Sequence, residues 1–211
     1  MPVGSQISVP TKKIMQNKTE VEIAEIYEKS INLPLRKPSK LSLLCAVGLV
    51  GAGKTTVIKP LAKKLGFVRV SGDKLRKLLK ENGYGYEKLY EMVTAIIKKL
   101  LENGYSVAID ADCASEHNRT FIREAETKGI FPLWVHVNPP EEFIITKLKN
   151  FKHTWLFKNA HEAIDNYYAR KPLHENLTMP FVYVFDTSKN DLANQITEAA
   201  RIIKSELGKS P

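Results

Sequence analysis

One stretch of the chain has the residue types and spacing to hold a polyphosphate. Gly48-Leu-Val-Gly51-Ala-Gly53-Lys54-Thr55 matches the pattern G-x-x-x-x-G-K-[ST]. Its glycines let the backbone wrap closely around phosphate oxygens, and amide N–H groups and a following helix N-terminus then point at the anion. Lys54 adds a point charge near the β and γ phosphates, and Thr55 offers a hydroxyl to Mg²⁺. Gly48, Gly51, Ala52, Gly53, Lys54, Thr55 and Thr56 are therefore the expected nucleotide-binding positions. Asp110 ends the apolar run Val107-Ala108-Ile109, which sets a carboxylate where it can orient a metal-bound water. Asp112, two residues on, reads as a helix cap or turn former. In Val70-Ser71-Gly72-Asp73-Lys74-Leu75-Arg76, Asp73 can take the proton of an attacking hydroxyl while Arg76, one turn on, positions an anion. Asp73 can equally be the N-cap of the next helix, and the fragment leaves both readings open.

These residues need elements that carry them to one place. Thr19 and Glu22 are spaced as a capping box, and Ile23, Ile26, Tyr27 and Ile31 then share one helical face, so a short amphipathic helix follows a polar tail over residues 1–18. Leu41 to Val47 is a continuous apolar run, which predicts a strand buried on both faces. Beyond it the pattern alternates. Helices are expected over 54–65, 74–81, 86–102, 115–128 and 191–207, and strands over 67–70, 106–110, 131–137 and 181–185, with a helical and irregular stretch over 141–174. Strands separated by helices predict an α/β fold with a parallel sheet, in which ligands bind at the carboxyl ends of the strands.

Taken in order, the phosphate loop, Ser71-Gly-Asp73-x-x-Arg76 and Gly104-Tyr-Ser-Val-Ala-Ile-Asp110-Ala, with Arg119 nine residues further, carry a resemblance. The chain resembles the P-loop kinase group that includes polynucleotide 5′-hydroxyl kinases, zeta-toxin-type kinases and many small kinases, over about residues 41–205. The resemblance implies a three-layer P-loop NTPase fold with a five-stranded sheet in the order 2-3-1-4-5. It also implies that Asp73 is the general base, that Arg76 contacts the acceptor or phosphate, and that Asp110 assists Mg²⁺. One departure concerns the lid after the fourth strand, where such kinases carry arginines. Here Lys147, Lys149, Lys152 and Lys158 occur and the first arginine is Arg170. Lysine lacks the bidentate fork, so either Arg170 or one of these lysines serves as the lid cation, or transfer is slow or lost; Arg170 is the candidate catalytic residue, its other reading being a surface residue that complements the helix dipole.

Other features carry weaker signals. Trp155, Phe157, Tyr167 and Tyr168, beside His153 and His161, can line an acceptor pocket or pack on the core. Ser188-Lys189-Asn190-Asp191 departs from a guanine-reading N-K-x-D motif at its first position, and no D-x-x-G motif occurs. The five histidines have no compact pairing with cysteines, which argues against structural zinc. Cys113 and His117 lack an orienting partner, so an inert thiol is expected.

At 211 residues the chain is long enough for one ordinary domain, divided here into an N-terminal tail and helix (1–40) and a kinase-like domain (41–211) with a lid region at about 141–174. The excess of 32 Lys and Arg over 23 Asp and Glu favours anionic partners. The lysines are scattered and no base-stacking motif accompanies them, so nucleic acid is a possible partner that the sequence does not favour. The longest apolar stretch, 41–50, is about half the ~20 residues of a spanning helix, and two cysteines do not make a disulfide framework, so a cytoplasmic, membrane-free protein is expected. The reading that follows is an ATP- and Mg²⁺-dependent transfer of the γ-phosphate to a hydroxyl of a small-molecule or nucleotide-like acceptor. The alternatives are an ATPase without an acceptor and a catalytically weak nucleotide- or nucleic-acid-binding module.

Overall fold

The computed structural model describes residues 18–38, 40–150 and 156–208. Strands β1 (Ser42–Val47), β2 (Val68–Ser71), β3 (Val107–Asp110), β4 (Phe131–Val137) and β5 (Phe181–Phe185) all pair in parallel, in the order β2-β3-β1-β4-β5. This is the 2-3-1-4-5 order that the resemblance implied. Eight helices accompany the strands among the described residues: α1 (Glu20–Lys29), α2 (Lys54–Leu65), α3 (Gly72–Glu81), α4 (Leu89–Glu102), α5 (Glu116–Glu126), α6 (Glu141–Lys149), α7 (Ala160–Arg170) and α8 (Leu192–Gly208). A single 3-10 turn, Lys171–His174, follows α7. No helix among the described residues is long and apolar enough to cross a membrane.

The apolar run of β1 is explained by its place at the centre of the sheet, where every residue is buried. Its side chains alternate between two cores. Leu44 and Ala46 meet Val57, Ile58 and Leu61 of α2 and Ile196 and Ala199 of α8. Leu43, Cys45 and Val47 meet Leu75 and Leu79 of α3, Ile97 of α4 and Phe121 of α5. A strand covered on both faces has no polar side, and each buried Leu or Val contributes roughly 1.5–3 kcal/mol.

β2 is an end strand, so amides on its outer side lack a strand partner. Helix α1 supplies one. Thr19 opens it with the predicted capping box, its hydroxyl accepting from the Glu22 amide and its own amide donating to the Glu22 carboxylate at 2.7 Å. Ile23 and Tyr27 then enter the second core. The Tyr27 hydroxyl accepts from the Ser71 amide at 2.6 Å, at the point where β2 turns into α3. Ion pairs Lys88–Glu20 at 2.6 Å and Lys99–Glu28 at 2.5 Å join α1 to the α4 segment, but they are exposed at the lysines and add little.

The helix after β2 begins earlier than its sequence pattern suggested. The Ser71 hydroxyl accepts from the Lys74 amide and caps α3, so Asp73 lies within the first turn and is not the N-cap. Tyr27→Phe keeps the ring buried and strips the Ser71 amide of its acceptor. It is expected to lower the unfolding free energy by about 1–3 kcal/mol, seen as a lower urea midpoint at unchanged slope. An unchanged midpoint would mean that α1 contributes only apolar cover.

Candidate active site

The loop joining β1 to α2 is shaped by three glycines. Gly51 and Gly53 have φ of 80° and 96°, in the left-handed region that side chains disfavour. At Gly48 a Cβ would lie 2.6 Å from the carbonyl oxygen of Val137, so only glycine fits beside β4. Thr187, after β5, donates its hydroxyl to the Ala52 carbonyl at 2.7 Å and pins the loop from the other side. Gly53 is the N-cap of α2, and no side chain caps that helix. The amides of its first turn, including those of Lys54, Thr55 and Thr56, are thus left for an anion. The Lys54 ammonium donates to the Gly48 and Leu49 carbonyls at 2.6 and 3.0 Å, which keeps its charge within the loop. Burial pushes this ammonium below its ordinary pKa, while Asp112, Asp73 and Asp110 pull it back up.

Asp110, at the end of β3, is 3% exposed. One carboxylate oxygen accepts from the Thr55 hydroxyl at 3.0 Å. The other accepts from Arg69 Nε at 2.7 Å and Nη2 at 2.6 Å. Arg69, on β2, escaped the sequence reading; its only local signal is a charged residue between two buried valines. Thr55 and Asp110 are hard oxygen donors at the mouth of an uncapped helix. They fit Mg²⁺, which needs one or two protein oxygens because it keeps its waters and shares phosphate oxygens. Among the described residues no cluster of three or more His, Cys, Asp or Glu is arranged to hold a metal by itself.

A cavity of about 1120 Å³ opens over the loop and brings Lys54, Thr55 and Asp110 together with Asp73, Arg76 and Arg170. Asp73 and Arg76 lie one turn apart on α3 and are bonded, Arg76 Nη1 donating to Asp73 Oδ1. The Arg76 guanidinium also lies 5.5 Å from the Tyr86 ring centre. Arg170 reaches the cavity from the last turn of α7, and Lys147 from α6. The aromatic group divides. Phe157 lines the cavity, Tyr167 is buried in the core, and Tyr168 is exposed. Lys152, His153 and Trp155 lie outside the described residues.

Asp112 does more than form a turn. Its Oδ1 accepts from the Ala114 amide at 3.2 Å and from the Gly48 amide at 3.4 Å, and its Oδ2 lies 3.1 Å from Nε2 of His174. Burial acts to raise its pKa, but the His174 hydrogen bond and the Lys54 charge outweigh that and hold the carboxyl below its ordinary range. The His174 ring is 6% exposed, and Nδ1 has no partner among the described residues. One carboxylate thereby ties the start of the phosphate loop to the turn that follows Arg170.

The remaining motifs have ordinary roles. Cys113 is fully buried and its thiol pKa is raised by that burial, so it is no nucleophile. The His117 ring lies 4.9 Å from that of Tyr90, tilted by 37°. In the Ser188 to Asp191 stretch, the Ser188 amide and hydroxyl donate to Asp186, and the Asp191 carboxylate accepts from Gln195, so the segment serves the turn into α8.

A family model described as an AAA domain matches residues 43–154, more than half of the chain, and the chain belongs to that family. No curated protein matches the sequence. Solved structures match the fold. The crystal structure of APE1195 is 23% identical with a TM-score of 0.60, over 82% of this chain and 99% of that one. The Mycobacterium tuberculosis APS kinase CysC, in complex with AMPPNP and APS, is 18% identical with a TM-score of 0.53, over 79% of this chain and 99% of that one. Shikimate kinase from Acinetobacter baumannii, in complex with shikimate, is 20% identical with a TM-score of 0.51, over 88% of this chain and 99% of that one. At these identities the likeness is one of fold.

His174→Leu removes the donor facing Asp112 with little loss of buried apolar volume, and is expected to destabilise the protein by about 1–3 kcal/mol in urea unfolding. His174→Gln keeps a donor at the reach of Nε2 and is expected to lose less. Equal losses would assign the effect to ring packing instead.

Proposed function

We propose that the protein is an ATP-dependent phosphotransferase that moves a γ-phosphate to a hydroxyl of a small-molecule or nucleotide-like acceptor. The observation that carries this reading is the meeting, in one cavity, of a phosphate loop and a separate carboxylate–guanidinium pair on the facing strand-to-helix junction. An ATPase requires only the first of these. The parallel sheet shared with kinases that bind APS and shikimate is consistent with the reading and names no acceptor here.

In the proposed mechanism the loop amides and Lys54 hold the phosphates, Lys54 exchanging its two carbonyl partners for phosphate oxygens. Thr55 and Asp110 would hold Mg²⁺, which would neutralise charge on the phosphates. Asp73 accepts the proton of the acceptor hydroxyl as that oxygen bonds to the γ-phosphorus. The bond between that phosphorus and the β–γ bridging oxygen breaks, and ADP leaves. Arg170, with no ion pair among the described residues, is the cation for the transferred group, and Arg76 orients the acceptor. Most of the rate enhancement comes from positioning and charge stabilisation. Residues 41–211 form the proposed catalytic domain, with 141–174 as the lid and residues 1–40 as an extension whose α1 supports β2. Closure of the lid would exclude water and suppress hydrolysis.

The test is γ-phosphate transfer from labelled ATP with Mg²⁺ to a panel holding a 5′-hydroxyl oligonucleotide, nucleotide sugars and small alcohols. Transfer to one class is expected, with Asp73→Ala and Lys54→Ala each reducing it by about 100-fold or more. Label released only as free phosphate in the presence of every acceptor would favour a hydrolase.

A further inference from the structure

We infer that Arg69 sets which divalent ion the nucleotide site accepts: by holding one oxygen of Asp110 it leaves a single carboxylate oxygen for the ion, and so favours Mg²⁺ over the larger Ca²⁺. The inference rests on the nucleotide- and metal-binding part of the function proposed above and adds a specificity-determining residue to it.

The placement of Arg69 follows from strand geometry. Val68 and Val70, on either side of it, are fully buried, and Val70 enters the second core. Arg69 therefore leaves β2 on the opposite face. In the register of β2 and β3, Arg69 pairs with Ala108 and Ser71 with Asp110. Ala108 belongs to the core that α2 covers, and Asp110, two residues on, shares its face. The arginine thus needs only to reach along β3 by two positions to meet the carboxylate, its head coming out at the cavity.

Both of its contacts fall on one oxygen. Nε at 2.7 Å and Nη2 at 2.6 Å engage Oδ2 of Asp110, while Oδ1 accepts from the Thr55 hydroxyl. A carboxylate can offer a cation one oxygen or both. Ca²⁺ takes six to eight oxygens and accepts a carboxylate in either way, whereas Mg²⁺ holds a tight octahedron and keeps several waters. An ion bonded to Oδ2 would lie within about 5 Å of a guanidinium that never loses its charge. Asp110 is therefore left with Oδ1 alone, which suffices for Mg²⁺ and costs Ca²⁺ a ligand. Neighbouring carboxylates do not make up the loss. Asp112 has its oxygens on the Gly48 and Ala114 amides and on His174, and no cluster of three or more His, Cys, Asp or Glu among the described residues could hold an ion. A neutral side chain at position 69 would leave Oδ2 open.

The experiment is calorimetric titration of the nonhydrolysable ATP analogue AMPPNP into the full chain with excess Mg²⁺, with excess Ca²⁺, and with a chelator. The wild type is expected to bind the Mg²⁺ complex more tightly than the Ca²⁺ complex. In Arg69→Met the ratio of the two affinities is expected to fall by about threefold or more, because Ca²⁺ gains the freed oxygen. Loss of the guanidinium charge, or of packing, acts on both complexes alike and cancels in that ratio. An unchanged ratio, or a wild type that binds both complexes equally, would overturn the inference. Should Arg69→Met not fold, the Arg69 Nε–H resonance of the wild type decides, assigned by its loss in Arg69→Lys. It is expected to keep its hydrogen-bonded position when Mg²⁺ and AMPPNP are added. Movement to the position of a free arginine would mean that the ion takes both oxygens, and would overturn the inference. AMPPNP that binds under none of the three conditions would overturn the nucleotide-site reading on which it rests.

Discussion

The site depends on β1 having no free face. With cores on both sides and a strand on each edge, the chain can leave β1 only at its carboxyl end. There the connections of neighbouring strands part to opposite sides and leave a crevice. The glycine loop emerges into that crevice. Parallel pairing brings Asp110 at the end of β3 and Ser71 at the end of β2 into register beside it. Ser42, at the start of β1, satisfies its buried hydroxyl on the Lys40 carbonyl; a polar side chain farther along the strand would enter one of the two apolar cores, so the apolar run and the location of the chemistry have one cause.

Around this frame the polar groups are arranged so that few charges stand alone. Asp110 divides its oxygens between Thr55 and Arg69, and Asp112 divides its own between the Gly48 and Ala114 amides and His174. Each of these carboxylates touches the phosphate loop and a second element, so the loop geometry is set from several directions before any ligand arrives. That is the preorganisation that phosphoryl transfer needs, since the reaction leaves a protein little to do beyond holding charges in position. Tyr27 extends the same logic outward. Its hydroxyl stops the open edge of β2 at the residue that caps α3, two positions before Asp73.

How much of this was legible in the sequence follows from how far apart the interacting residues lie. The phosphate loop is contiguous, and its glycines are demanded by local backbone geometry, so residues 48–55 could be read directly. Asp110 was legible because a strand end is visible as the end of an apolar run. The partners that complete the site are joined by no local pattern: Arg69 reaches Asp110 across 41 residues, Tyr27 reaches Ser71 across 44, and His174 reaches Asp112 across 62. The start of α3 was misjudged for a related reason, since Ser71 serves as the last residue of β2 and as the helix cap, and either role alone would set a different boundary. Tyr167 and Tyr168 could not be told apart as core and surface residues because that division depends on the rotation of α7, which packs on α6.

If the uncapped start of α2, with Lys54, is a triphosphate cradle and not merely a glycine-rich turn, it binds a nucleotide through that lysine. Calorimetric titration of ATP with Mg²⁺ into the full chain and into Lys54→Ala tests it most directly. Saturable binding at one site per chain is expected, weakened by about tenfold or more in the variant. No binding, or equal binding by both proteins, would contradict it.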